Sequence, residues 1–177
     1  ASAPVYGLDE KQRAKADKLA WGDVLDNWGD MTFLPDLIRE GIVEAPDALV
    51  GGPPCQSYSL AGRRKGLEDD RGQLTLKYVQ IADEIDAARA KQGKEPCVIF
   101  YENVPGILSD NTNAFGNFLA DLAGDDKPID PGPRPERGRS SFFWRWKKAT
   151  CQHVQKWPNA GCVVGPSRTV AWRVMEA

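Results

Sequence analysis

Along this 177-residue chain the apolar positions form two short continuous runs with one helical stripe between them. The first run, Asp-Ala-Leu-Val at residues 47–50, stops at Gly51-Gly-Pro-Pro54, which predicts a buried strand entering a loop at its carboxyl end. Cys55 stands just beyond that end. Through residues 74–91, Leu74, Tyr78, Ile81, Ala82 and Ile85 recur at three- and four-residue spacing, the stripe of an amphipathic helix covering a sheet. Gly93 ends it. The second run, Cys-Val-Ile-Phe-Tyr at residues 97–101, predicts another strand, with Glu102 at its carboxyl end. Two apolar strands joined through a helix indicate a parallel α/β sheet. Ligands of such sheets bind in the crevice outside the carboxyl ends of the strands, so the loops holding Cys55 and Glu102 are expected to face one site.

Outside this unit the pattern is weaker. Residues 9–20 carry good helix formers and many charges and read as a surface helix, followed by a turn-rich stretch over 21–32. A further helix is expected over 112–123, an irregular Pro/Gly-rich connection over 125–139 and a last strand over 169–175. No run of about 18 apolar residues is present, and residues 1–10 lack a basic-then-apolar leader, so no membrane contact and a cytoplasmic location are expected.

The four cysteines, Cys55, Cys97, Cys151 and Cys162, lie in unrelated contexts in a domain large enough to need no staples, so reduced thiols are expected. Cys151, His153 and Cys162 follow no zinc-ligand spacing, and no metal is expected. A redox role for Cys55 would need a resolving cysteine nearby, and the loop offers none.

Net charge is −2, which by itself does not advertise nucleic-acid binding. The distribution changes the picture. Residues 134–156 hold seven Lys/Arg and one acid, a local +6, and the remaining sixteen bases and twenty-four acids give −8. The same segment contains Phe142, Phe143, Trp144, Arg145 and Trp146, a mixture of stacking groups and positive charge compatible with nucleic-acid contact. An aromatic cluster is more often core.

A cysteine between a Pro-Pro and a Gln-Ser segment sits on a stiff loop with little apolar cover, which suits a nucleophile. An isolated cysteine is nonetheless more often a small buried hydrophobe. The surrounding residues add a specific resemblance. Gly51-Gly-Pro-Pro-Cys-Gln-Ser-Tyr-Ser-Leu-Ala-Gly62 is similar to the nucleophile motif of the C5-cytosine DNA methyltransferase family, and Glu102-Asn103-Val104 resembles its glutamate motif. Asp70-Arg71 with Leu74, and Pro105-Gly-Ile-Leu108, are similar to the continuations of those motifs, and Gly29-Asp30-Met31-Thr32 resembles the motif that meets the cofactor's adenine.

The resemblance implies a Rossmann-like S-adenosylmethionine-dependent methyltransferase fold of the α/β class, incomplete here, with a parallel sheet and flanking helices. It implies that Cys55 adds to carbon 6 of cytosine while Glu102 holds a proton at ring nitrogen 3, with Asn103 bracing the loop. Burial is expected to favour the protonated form of Glu102. The cofactor S-adenosyl-L-methionine would be met by Asp30, Met31 and Pro53, with Asp9 or Glu10 the candidates for its ribose. Double-stranded DNA with a flipped cytosine would be met by Gln56, Ser57, Ser59, Arg63, Arg64 and Arg71.

Some family features are not found. The Phe-x-Gly-x-Gly turn that cradles the cofactor, the Gln-x-Arg-x-Arg motif and the target-recognition region do not occur. Residues 1–177 are therefore expected to form a partial catalytic domain with a basic and aromatic insertion at about 134–156, whether as a fragment, as one part of a split enzyme whose complementary chain supplies the missing motifs, or as the product of a decayed gene. Without those motifs, weak cofactor binding is expected. Two alternatives stay open: a truncated, inactive remnant that binds DNA or protein, and a transfer-RNA cytosine-5 methyltransferase, which Ser59-Leu-Ala-Gly62 fits less well.

Overall fold

In the computed structural model, residues 7–16, 28–53 and 70–175 are described. The chain forms two compact units, one of residues 1–50 and 80–100 and the other of residues 51–79 and 101–177.

In the first unit, helix α1 (Glu10–Ala16) opens with a reciprocal cap. The Gln12 amide donates to Asp9 Oδ1 at 2.7 Å, and the Asp9 amide donates to Gln12 Oε1 at 2.9 Å, which satisfies two amides that the first turn leaves unpaired. The remainder of the helix expected over 9–20 lies outside the described residues. A 3-10 turn (Met31–Phe33) then leads into α2 (Leu34–Arg39), an element the apolar pattern did not announce. Pro35 in its first turn suits the fixed φ of proline, and Pro35, Leu37 and Ile38 are buried. The unit's core joins Ile38 and Ala45 to Ile81, Ile85 and Cys97, with Met31, Leu34, Val43, Leu49 and Ala88 packed against it.

Strand β1 is Ala48–Gly51, helix α3 is Asp70–Lys91 and strand β2 is Val98–Tyr101. The Val98 amide donates to Asp47 O and the Glu102 amide to Gly51 O, both at 3.0 Å. Both partners advance in the same direction, so the pairing is parallel. The helical stripe expected from the sequence is the buried one: Tyr78, Ile81, Ala82 and Ile85 are all buried. The strands depart from expectation in one respect. Continuous apolar runs predicted burial on both faces, whereas alternate residues are exposed, Val50 at 74%, Val98 at 56% and Phe100 at 59%.

A buried arginine ties α3 to both strand approaches. Arg89, 6% exposed, donates to Asp47 Oδ1 at 2.6 Å, Pro46 O at 3.1 Å and Glu95 O at 2.6 Å. Every partner is needed, because a buried guanidinium without acceptors costs several kcal/mol.

The second unit is built on α4 (Ala114–Ala123), every residue of which is buried. Two antiparallel hairpins follow: β3 (Trp144–Lys147) with β4 (Gln152–Gln155), and β5 (Ala160–Val164) with β6 (Thr169–Arg173). The last strand expected over 169–175 is therefore the second arm of a hairpin. Helix α4 ends at Gly124, whose φ of +86° is a left-handed cap that glycine adopts without steric cost. The β5–β6 turn completes that cap: the Ser167 and Arg168 amides donate to Ala123 O at 2.9 and 3.3 Å, and Arg168 Nη1 donates to Leu122 O at 3.1 Å.

At its other end α4 starts from Asn113, a non-glycine residue at φ +59°. Its side chain is a hub. Asn113 Nδ2 donates to Ile129 O at 2.9 Å, and Asn113 Oδ1 accepts from Gln155 Nε2 at 2.6 Å and Trp157 Nε1 at 3.1 Å. Trp157, 2% exposed, packs edge-on against Phe115, Phe143 and Trp172, with ring centroids 4.9–5.9 Å apart. Among the described residues, no helix is long and apolar enough to cross a membrane.

Candidate active site

The two parallel strands end side by side. In the second unit the last carbonyl of β1, Gly51 O, accepts from the Glu102 amide, so the loop that leaves β1 begins beside the residue that ends β2. Contact is then so close that only glycine fits. A Cβ on Gly52 would lie 2.7 Å from Glu102 O and 2.9 Å from Glu102 Oε2. One of these is a backbone atom and cannot swing aside.

Asn103 holds the same two loops together. Its Nδ2 donates to Pro53 O at 3.2 Å and to Tyr101 Oη at 2.6 Å, and its Oδ1 accepts from the Val104 amide at 2.8 Å. Tyr101 in turn stands between Tyr78, at a ring separation of 5.4 Å, and Phe118, at 4.2 Å. Pro53 is buried. A chain of contacts thus runs from α3 and α4 through Tyr101 and Asn103 to the loop leaving β1. Tyr78 and Tyr101 were not among the sequence candidates for the site. The available signal was a hydroxyl-bearing residue closing an apolar strand, two positions before an asparagine.

Glu102 itself is exposed, which corrects the expectation that burial acts on its carboxyl.

Cys55, Gln56, Ser57, Ser59, Arg63 and Arg64 lie outside the described residues. Arg71 falls in the first turn of α3, whose backbone alone is described. In the first unit, Asp30 caps the 3-10 turn, its Oδ1 accepting from the Thr32 amide at 2.9 Å, and Gly29 before it turns at φ +84°. Met31 packs against that unit's core. Asp9, a candidate for a ribose contact, spends one carboxylate oxygen on the α1 cap. Among the described residues no group of three potential ligands could hold a metal. Of the described thiols, Cys97 is buried, and Cys151 and Cys162 are exposed.

The Gly52 contact gives a measurable consequence. Gly52→Ala is expected to cost about 1–3 kcal/mol, the usual range for forcing extra volume into a packed site. Gly106→Ala, where an added Cβ meets nothing within 4 Å, is expected to cost under about 0.5 kcal/mol. Urea denaturation of both variants checks this, and equal midpoints would show that the strand-end contact is slack.

Two parallel strands joined through a helix, their carboxyl ends side by side, are the central piece of a Rossmann-like, S-adenosylmethionine-dependent methyltransferase fold. Residues 26–125, over half of the chain, match the family described as C-5 cytosine-specific DNA methylase, and the chain belongs to that family. It is 55% identical over 151 residues to a protein of Escherichia phage P1 named DNA N-6-adenine-methyltransferase, covering 85% of this chain and 20% of that protein. It is 35% identical over 101 residues to the Type II methyltransferase M.NgoPII of Neisseria gonorrhoeae, covering 55% of this chain and 27% of the relative. With M.FnuDI of Fusobacterium nucleatum, also named a Type II methyltransferase, identity is 38% over 110 residues, covering 60% and 29%. The chain thus spans between a fifth and a third of the length of these relatives. No solved structure matches it.

Proposed function

We propose that the chain is the catalytic part of an enzyme that transfers a methyl group from S-adenosylmethionine to carbon 5 of cytosine in DNA. The observation that carries this reading is the junction of strand ends, where Gly52 and Pro53 are held against Glu102 and Asn103. Two peptide units, roughly 7 Å of chain, separate Pro53 from Cys55, which keeps the thiol within reach of a base that Glu102 also touches.

Carbon 5 of cytosine is a poor nucleophile, and each proposed group answers that problem. The Cys55 thiolate forms a bond to carbon 6, and the displaced electron pair is taken up as ring nitrogen 3 accepts the proton that Glu102 supplies. Carbon 5 then carries enamine character. S-adenosylmethionine, when bound, supplies the methyl group that carbon 5 accepts. A water molecule takes the carbon-5 proton, the carbon 6–sulfur bond breaks to return Cys55 as its thiolate, and the proton on ring nitrogen 3 goes back to Glu102 as the ring is restored. Asn103 acts as a positioning residue that fixes the Glu102 loop, and the base must leave the duplex stack to be reached.

The residues present suit the cofactor in part. Asp30 Oδ1 is taken by Thr32, which leaves the second carboxylate oxygen to accept from an adenine amino group, with Met31 as its apolar neighbour in the first unit. The glycine turn and the arginine-bearing motif of the family lie outside residues 1–177.

The name of the phage P1 relative concerns a different atom, the exocyclic nitrogen of adenine. An amino nitrogen is methylated without covalent activation of the ring, so a proline-held cysteine paired with a glutamate has no task there. Duplex DNA treated with the chain and its complementary part, then digested to nucleosides, is expected to yield 5-methylcytosine by mass spectrometry. N6-methyladenine alone would overturn the proposal.

A further inference from the structure

We propose that the β3–β4 hairpin is a second DNA-contacting surface, which grips backbone phosphates of a duplex through Arg145, Lys147 and Lys148 without reading sequence. The choice of DNA among polyanions rests on the proposed function; the surface itself does not. All seven Lys/Arg of residues 134–156 are exposed. The lone acid there, Glu136, is engaged with Arg139 at 3.6 Å. Among the described residues no carboxylate pairs with Arg145, Lys147 or Lys148.

The pleat sorts Arg145 and Lys147 onto one side. Trp144 and Trp146 alternate with Arg145 and Lys147 along β3, and successive side chains of a strand point to opposite faces. Trp144 is buried, its Nε1 donating to Gly132 O at 3.0 Å, and Trp146 packs against His153 at a ring separation of 4.8 Å. Arg145 and Lys147 share the opposite face, roughly 6.8 Å apart along the strand, opposite Val154 and Gln152 in the register. Lys148 opens the hairpin turn.

A run of charge on a loose loop is usually just solvated, but this one is held rigidly. The Ser141 amide donates to Trp144 O at 2.8 Å, the Trp146 amide to Ser140 Oγ at 3.0 Å and the Lys156 amide to Phe143 O at 2.8 Å. Beyond β4, the Trp157 amide donates to Leu108 O at 2.7 Å. Leu108 lies in the 3-10 turn Pro105–Ser109, which starts three residues after Glu102. The cationic face is therefore fixed, within one unit, to the segment that bears Glu102. With −8 on the remainder of the chain, general electrostatic attraction cannot substitute for this face.

The test is the binding of the whole chain to a fluorescein-labelled 20-base-pair duplex, followed by anisotropy between 50 and 200 mM salt. Arg145→Glu/Lys147→Glu/Lys148→Glu is expected to weaken binding at least tenfold and to lower the slope of log affinity against log salt by about 3, near 0.9 per lost phosphate contact. The Gln versions should lower the slope equally and cover the case in which reversed charges disturb folding. Lys91→Glu/Lys94→Glu/Lys127→Glu, with the same change in net charge, is expected to bind nearly as the native chain does. The proposal is overturned if the hairpin variants bind like the native chain. It is equally overturned if the control triple weakens binding as much, if the native chain binds no duplex at 50 mM salt, or if RNA or polyglutamate displaces the DNA more readily than unlabelled DNA. Base methylation enters none of these readouts, so failure here leaves the carbon-5 reading standing, and its failure leaves this result interpretable.

Discussion

Duplex DNA carrying 5-fluorocytosine at the target base is expected to become covalently bound to the chain, when the cofactor and the complementary motifs are supplied, and Cys55→Ser is expected to abolish the product. Fluorine at carbon 5 cannot leave as a proton does, so the reaction halts with Cys55 still joined to carbon 6. A denaturing gel shift, with peptide mapping of the adduct, reads the outcome. An adduct that survives Cys55→Ser would place the nucleophile elsewhere. Glu102→Gln is expected to slow methyl transfer about 10²–10⁴-fold in single turnover, the range for losing a positioned proton donor. Asn103→Ala should reduce the rate less, because it acts only through the loop it ties to Pro53. If Glu102→Gln turned over at the native rate, the pairing of strand ends would be structural and nothing more.

The second large effect concerns stability. Asn113→Ala is expected to destabilise the second unit by about 3–8 kcal/mol. It leaves the buried Gln155 and Trp157 donors without their acceptor, at about 1–3 kcal/mol each, and puts alanine at φ +59°, where an ordinary residue costs about 1–2 kcal/mol. Against a typical total of about 5–15 kcal/mol this is a large share. Asn113→Gly separates the two contributions, since glycine relieves the backbone but not the lost bonds. Asn113→Asp keeps the acceptor and is expected to cost about 1–2 kcal/mol through loss of the bond to Ile129 O. Thermal unfolding followed by circular dichroism orders the three variants, and an Asn113→Ala loss under about 1 kcal/mol would contradict the hub.

What the sequence disclosed follows from how far each signal extends along the chain. The helix over residues 74–91 and its flanking strands were legible because apolar spacing repeats over several turns of the helix, and because the first strand and the helix stop at Gly51 and Gly93. Helix α2 was not, because six residues with a proline in the first turn show less than two periods. The β3 strand was written plainly as Trp-Arg-Trp-Lys, an alternation of period two, but it read as a mixture of stacking and charge because its partner lies across a turn with no Asn-Gly or Asp-Gly. At the candidate site, Glu102 and Asn103 were found through their motif. The exposure of Glu102 was not legible, since burial is decided by what packs around a strand end and not by the strand's own residues. Nor was the reason for the glycine at position 52, which becomes apparent only when Glu102 O comes within 2.7 Å of where a Cβ would stand.

The cap that the β5–β6 turn places on α4 also bears on how the second unit comes apart. Free carbonyls at a helix end normally allow fraying from the terminus inward, so the last turn exchanges its amides first. Here Ala123 O receives two amides and Leu122 O a guanidinium from residues 167–168, so the last turn cannot fray until the hairpin turn lifts. Helix end and hairpin therefore open as one cooperative unit, protected to a common free energy in amide exchange. A single proteolytic nick between Gly165 and Arg168 would release both.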